Sequence, residues 1–195
     1  MNGCYDDADI YEGGENGDDI VLSSRFAVQT MAEADATNHY TVTNANNAGS
    51  ITLTAKTVPI SFVLRRLGLH VIQGIGTSGF RLAVYDRSGV AIARTAPFAI
   101  TALGEAFFNV AEIWNGANWV AGTEIELEGG ELYYFGIYCP QVSSAARFLG
   151  RDAGTTFGPK PWIAWTADNL GAGGLPAPMP AGFESSVRLL VIGAA

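Results

Sequence analysis

The sequence predicts an all-β protein: an antiparallel two-sheet β-sandwich of jelly-roll-like form, preceded by an extended acidic N-terminal arm. Apolar residues alternate at period two in short runs from Ile51 onward. The 24 glycines and 8 prolines cluster between those runs, as turns do between short strands. Residues 1–24 carry Asp6, Asp7, Asp9, Glu12, Glu15, Asp18 and Asp19 with no Lys or Arg. This end of the chain is therefore a charged arm, distinct from the β body.

Residues 1 to about 20 are rich in Gly and Asp and lack any period, which predicts an extended segment. Between 21 and 49, Ile20–Leu22 and Phe26–Val28 suit a short strand or helical turn, and Tyr40–Thr43 a short strand. Thr43–Ser50 is a turn-forming stretch. The expected division is an arm with short strands over 1–49 and the sandwich over 50–195. Within the sandwich, Ile51–Ala55 alternates, and Ser61–Ile72 sets Val63, Leu67, Leu69 and Val71 opposite Arg66 and His70. Phe80, Leu82 and Val84 alternate with Arg81, Ala83 and Tyr85, and Asp86–Gly89 turns the chain into Val90–Arg94 as a hairpin. Phe107–Val110, Glu124–Glu128 and Leu132–Cys139 follow. After the turn-rich stretch 171–182, Ser186–Ile192 suits the closing strand of a jelly roll.

At 195 residues the chain fits one domain that buries a full core without a metal or disulfide staple. Hydrophobic residues make up 48% and charged residues 15%, against about 25% charged in ordinary soluble domains. So little charge implies a surface partly covered by partners, in a homo-oligomer or an assembled particle. The net charge is −8; removing the arm's seven acids leaves 12 acidic against 11 basic residues, or −1. A nearly neutral body without a basic stripe excludes nucleic acid as the expected partner. No apolar run approaches the ~20 residues of a membrane span, and the first twenty residues lack the features of a secretory signal. Cys4 and Cys139 read either as one buried and one loose thiol or as a single pair.

Few residues suggest chemistry, and neither a catalytic residue nor a cofactor is expected. His39 and His70 have no nucleophile elbow to serve, and His70 reads as a half-exposed strand residue. Glu124, Glu126 and Glu128 project from one side of one strand, which suits a solvated or pairing-resistant face. Glycosidase carboxylates face each other across a substrate instead. Asp7 and Asp9 have calcium-loop spacing, but Tyr11 and Glu12 break the EF-hand pattern, so no metal is expected. The best candidate contact is Trp114, Asn115, Asn118 and Trp119, where rings and amides together suit a sugar or a partner surface. Trp162 and Trp165 are expected to cap one end of the sandwich.

Three stretches form a pattern: Leu67–Val71, Gly79–Val90 with its Arg81-Leu-Ala-Val-Tyr-Asp86 strand and turn, and Leu127–Tyr138 with Gly130-Glu-Leu-Tyr-Tyr134. Together, over residues 67 to 139, they resemble a jelly-roll module of tailed-bacteriophage virion proteins, among them head-decoration, tail-fibre and appendage proteins. The resemblance implies a non-enzymatic β module displayed on a virion and often trimeric. The short chain with no shaft favours a capsid decoration or cement protein contacting its own copies and the major capsid protein. The alternative is a glycan-recognising, receptor-binding module of a tail fibre or appendage.

Overall fold

The computed structural model describes residues 28–29, 38–42, 49–73, 79–139, 146–152, 162–166, 183–184, 187–189 and 191–194. The described residues are all β and contain no helix. Their strands are β1 (Val28–Gln29), β2 (Asn38–Val42), β3 (Gly49–Thr57), β4 (Phe62–Leu64), β5 (Arg66–Gln73), β6 (Arg81–Asp86), β7 (Ala91–Thr95) and β8 (Gly104–Trp114). Then come β9 (Trp119–Ala121), β10 (Ile125–Leu127), β11 (Leu132–Cys139), β12 (Ala146–Asp152), β13 (Trp162–Thr166), β14 (Phe183–Glu184), β15 (Val187–Leu189) and β16 (Val191–Ala194).

Fourteen strands form one large antiparallel sheet, and β4 pairs with β10 as a small second one. The main path runs β1-β16-β5-β8-β7-β6-β11-β3-β13-β14, with β9 on β8 and β12 joining β5, β2 and β15. The sheet curls through β8. Its first half pairs with β5, from Gly104 opposite Val71 to Asn109 opposite Arg66. Its second half pairs with β7, from Val110 opposite Thr95 to Ile113 opposite Ala93. An eleven-residue strand shared in this way carries the ladder from one wall to the other.

The curl encloses the main core. Leu67, Leu69 and Val71 of β5 and Phe148 of β12 gather with Leu82 and Val84 of β6, Ala93 of β7, and Phe135 and Ile137 of β11. Each large side chain in this set contributes about 1.5–3 kcal/mol of burial. A second cluster joins Ile51 and Leu53 of β3 to Ala83 and Tyr85 on the other face of β6, Ala91 of β7 and Tyr138 of β11, with Trp119 and Tyr134 packed against it. Burial on both faces explains why Arg81–Tyr85 is buried without a break. Tyr85, at the centre of the second cluster, has its phenol pKa pushed far up by burial, so it is neutral.

One expectation about strands changes. Ser61–Ile72 is not one strand: the chain leaves the small sheet and enters the large one at Arg65. There the Arg65 N–H donates to the Ala194 carbonyl, and the Arg65 carbonyl accepts from the Val110 N–H. The break shifts the alternation, so Leu64 fills the core and Val63 is half-buried. Trp162 and Trp165 lie within β13, in register with Leu53 and Ser50 of β3. The hairpin at Asp86–Gly89 forms as the sequence predicts. The Asp86 carboxylate accepts from the N–H groups of Ser88 and Val90, at 2.8 and 2.9 Å, and Gly89 takes φ +77°. Asp86→Ala is expected to lower stability by about 1 kcal/mol, read as a smaller urea midpoint at unchanged slope.

Candidate functional site: the tryptophan hairpin and its arginine–glutamate support

Trp114, Asn115, Asn118 and Trp119 come together at one hairpin. Trp114 is the last residue of β8 and Trp119 the first of β9, so only Asn115–Asn118 form the turn. The Asn115 N–H donates to the Asn118 carbonyl at 3.1 Å. The Asn115 side-chain oxygen accepts from the N–H groups of Ala117 and Asn118, at 3.0 and 2.8 Å. Gly116 completes the reversal at φ +95°, a conformation that costs a side-chain-bearing residue strain. All four turn residues are exposed.

Because Asn115 and Asn118 form a hydrogen-bonded pair, Trp114 and Trp119 occupy the next, non-hydrogen-bonded pair, where cross-strand side chains lie closest. Their rings meet edge to face, with centroids 5.5 Å apart at 65°. Both tryptophans are half-buried.

The support beneath Trp119 is a charged cluster. The Arg94 guanidinium lies 4.1 Å from the Trp119 ring centroid. It grips Glu112 bidentately, Nε to Oε2 at 2.7 Å and Nη2 to Oε1 at 3.1 Å. Arg81 Nη1 donates to the same Oε2 at 2.7 Å and to the Thr95 carbonyl at 3.1 Å. The arginine side chains are 7% and 6% exposed and the glutamate 30%. Hydrogen bonding from Arg94, opposed by burial and assisted by Arg81, holds the Glu112 carboxyl below its ordinary range. Register brings the group together: Arg94 stands opposite Ala83 on one side and Glu112 on the other.

The sequence offered a partial signal for this support. Arg81 and Arg94 each interrupt an apolar strand, and a charge at such a position needs a partner. Glu112, eighteen residues beyond Arg94, is one acid among many until the pairing of β7 with β8 is known.

The other candidates do not assemble into a site. Glu124 pairs with Arg65 at 2.9 Å on the surface, and Glu126 and Glu128 are exposed on or beside β10. His70 is half-buried in β5, opposite Glu105, and His39 lies in β2 opposite Leu149. Cys139 ends β11, whereas Cys4, Asp7 and Asp9 lie outside the described residues. Among the described residues no three His, Cys, Asp or Glu gather as metal ligands. No helix among them is long and apolar enough to cross a membrane. No protein-family model, curated protein or solved structure matches the chain.

Proposed function

We propose that this chain is a non-enzymatic structural protein of a bacteriophage virion, a capsid decoration or cement protein with a jelly-roll-like sandwich body. In this reading it binds its own copies, as a trimer, and the major capsid protein, and the acidic arm reaches a neighbouring subunit. The supporting observation is what the residues of the phage-like pattern do. Two of the strands that carry it, β6 and β11, are hydrogen-bonded neighbours, with Tyr85 opposite Tyr134 and Asp86 opposite Tyr133. Arg81 is held by Glu112, Tyr85 fills the second core, Asp86 closes a turn, Tyr133 accepts the Glu128 N–H, and Gly130 turns at φ +83°. Every one of these residues is committed to holding the sheet, which suits a scaffold and leaves its surface for assembly. Exposed Ile60, Leu103 and Val120 give that surface apolar contacts.

Light scattering coupled to size-exclusion chromatography should give a mass above one chain, and the protein should sediment with capsids that lack it. A monodisperse monomer with no affinity for capsids would overturn the proposal.

The Trp114–Trp119 hairpin favours a second reading, a glycan-recognising module of a tail fibre or appendage. Trp119 is fixed from beneath by Arg94, which preorganises an aromatic platform beside the exposed Asn118 amide. On an array of bacterial surface glycans, Trp114→Ala and Trp119→Ala are each expected to reduce binding at least tenfold, a change of about 1.4 kcal/mol. Unchanged binding in both variants would remove the hairpin from this role.

A further inference from the structure

We infer that Asn115 is a site of spontaneous covalent modification: in the folded protein the main-chain nitrogen of Gly116 attacks the Asn115 side-chain amide. The proposal is independent of any virion role and rests on the turn alone.

The chain contains the Asn-Gly dipeptide three times, as Asn2-Gly3, Asn16-Gly17 and Asn115-Gly116. At the third, the fold prepares the reaction. The Asn115 oxygen accepts from the N–H groups of Ala117 and Asn118, the two peptides just beyond the nucleophile. Cγ is four covalent bonds from the Gly116 nitrogen, so closure gives a five-membered ring, and the two hydrogen bonds hold the side chain against the turn instead of free in solvent. Attack on Cγ turns that same oxygen into an oxyanion, and both donors already point at it, as in an oxyanion hole. Gly116 carries no side chain to obstruct the ring, and nothing lies within 4 Å of the place a Cβ would occupy. The turn is exposed, so hydroxide and water have access.

Hydroxide removes the Gly116 N–H proton, and the nitrogen forms a bond to Asn115 Cγ. The bond from Cγ to the side-chain nitrogen breaks, and that nitrogen leaves with an added proton as ammonia. The five-membered succinimide then takes up one water. Opening at Cγ yields aspartate; opening at the main-chain carbonyl yields isoaspartate. Either product places a carboxylate at the tip between Trp114 and Trp119. Isoaspartate also adds a methylene to the main chain inside the tight turn.

The test follows the full-length protein in mildly alkaline buffer, native and in urea, by peptide mapping of all three dipeptides, with hydroxylamine to cleave the succinimide. Expected is conversion at Asn115 in the native protein at least as fast as in urea, with cleavage between Asn115 and Gly116. Asn115→Gln, whose longer side chain disfavours the ring, should lose both signals while Asn2 and Asn16 keep theirs. Slower conversion at Asn115 in the native protein than in urea would overturn the inference, because the fold would then protect the site.

Discussion

Glu112→Ala is expected to destabilise the protein by about 3 kcal/mol, near the lower end of the cost of breaking a buried ion pair. The lower end applies because the Glu112 side chain keeps 30% exposure, whereas the arginines it neutralises are 7% and 6% exposed. Removing the carboxylate leaves two buried guanidinium groups sharing one space, and Trp119 loses the ordered cation beneath it. For a chain of this size that loss lowers the melting temperature by about 6–12 °C. A triple variant with Arg81→Met, Glu112→Leu and Arg94→Met should retain more stability than Glu112→Ala alone, because it removes the buried charges together. A triple variant less stable than Glu112→Ala would count against this account.

The same carboxylate gives a pH signature. Its folded pKa lies below the ordinary value of 4.5, so the unfolded chain binds this proton first. The contribution is therefore fully present above about pH 4.5 and lost as pH falls through the folded value. Glu112→Gln should flatten that part of the acid limb, seen as a smaller drop in urea midpoint below pH 4.5 than in the unaltered chain.

The second large effect is expected at Gly136, in the middle of β11. This strand is paired on both edges, with β3 and β6, so neither neighbour can shift alone. A Cβ at Gly136 would lie 1.9 Å from the Thr52 carbonyl oxygen and 2.8 Å from Leu53 Cα. Those are backbone atoms within the ladder, and relief requires β3 and β11 to separate locally. Gly136→Ala is expected to cost about 3 kcal/mol, at the upper end of overpacking penalties. Gly116→Ala meets no atom within 4 Å and carries only the penalty of its φ, about 1 kcal/mol. Equal urea midpoints for the two variants would contradict the steric argument.

Much of the fold was legible because a period of two is a local signal. Leu82 and Val84 alternate against Ala83 and Tyr85, and Asp86–Gly89 carries the chemistry of its own turn. What a local signal cannot give is a change of partner. Arg65 carries no sequence mark, yet it ends one sheet and begins another because Ala194 and Val110 meet its two backbone groups. Glycines at 68 and 136 read only as weak points in a strand. One lies under the Phe107 ring and the other against the Thr52 carbonyl, and both reasons come from neighbouring strands.

The tryptophan hairpin divides in the same way. Its four candidate residues stand within a stretch of six, and the sequence alone selected them; that β8 and β9 pair there and bring the two rings edge to face came from the structure. That Trp119 rests on Arg94, and that Arg94 and Arg81 share Glu112, was decided only by the folding of β6, β7 and β8 side by side. Alternation tells a residue which face it occupies; only the pairing of distant strands tells it what it faces. The all-β character, the turn at Asp86 and the hairpin residues were therefore fixed locally. The charge network that supports the hairpin was fixed by tertiary register, because a buried ion pair forms where the chain brings opposite charges out of water together.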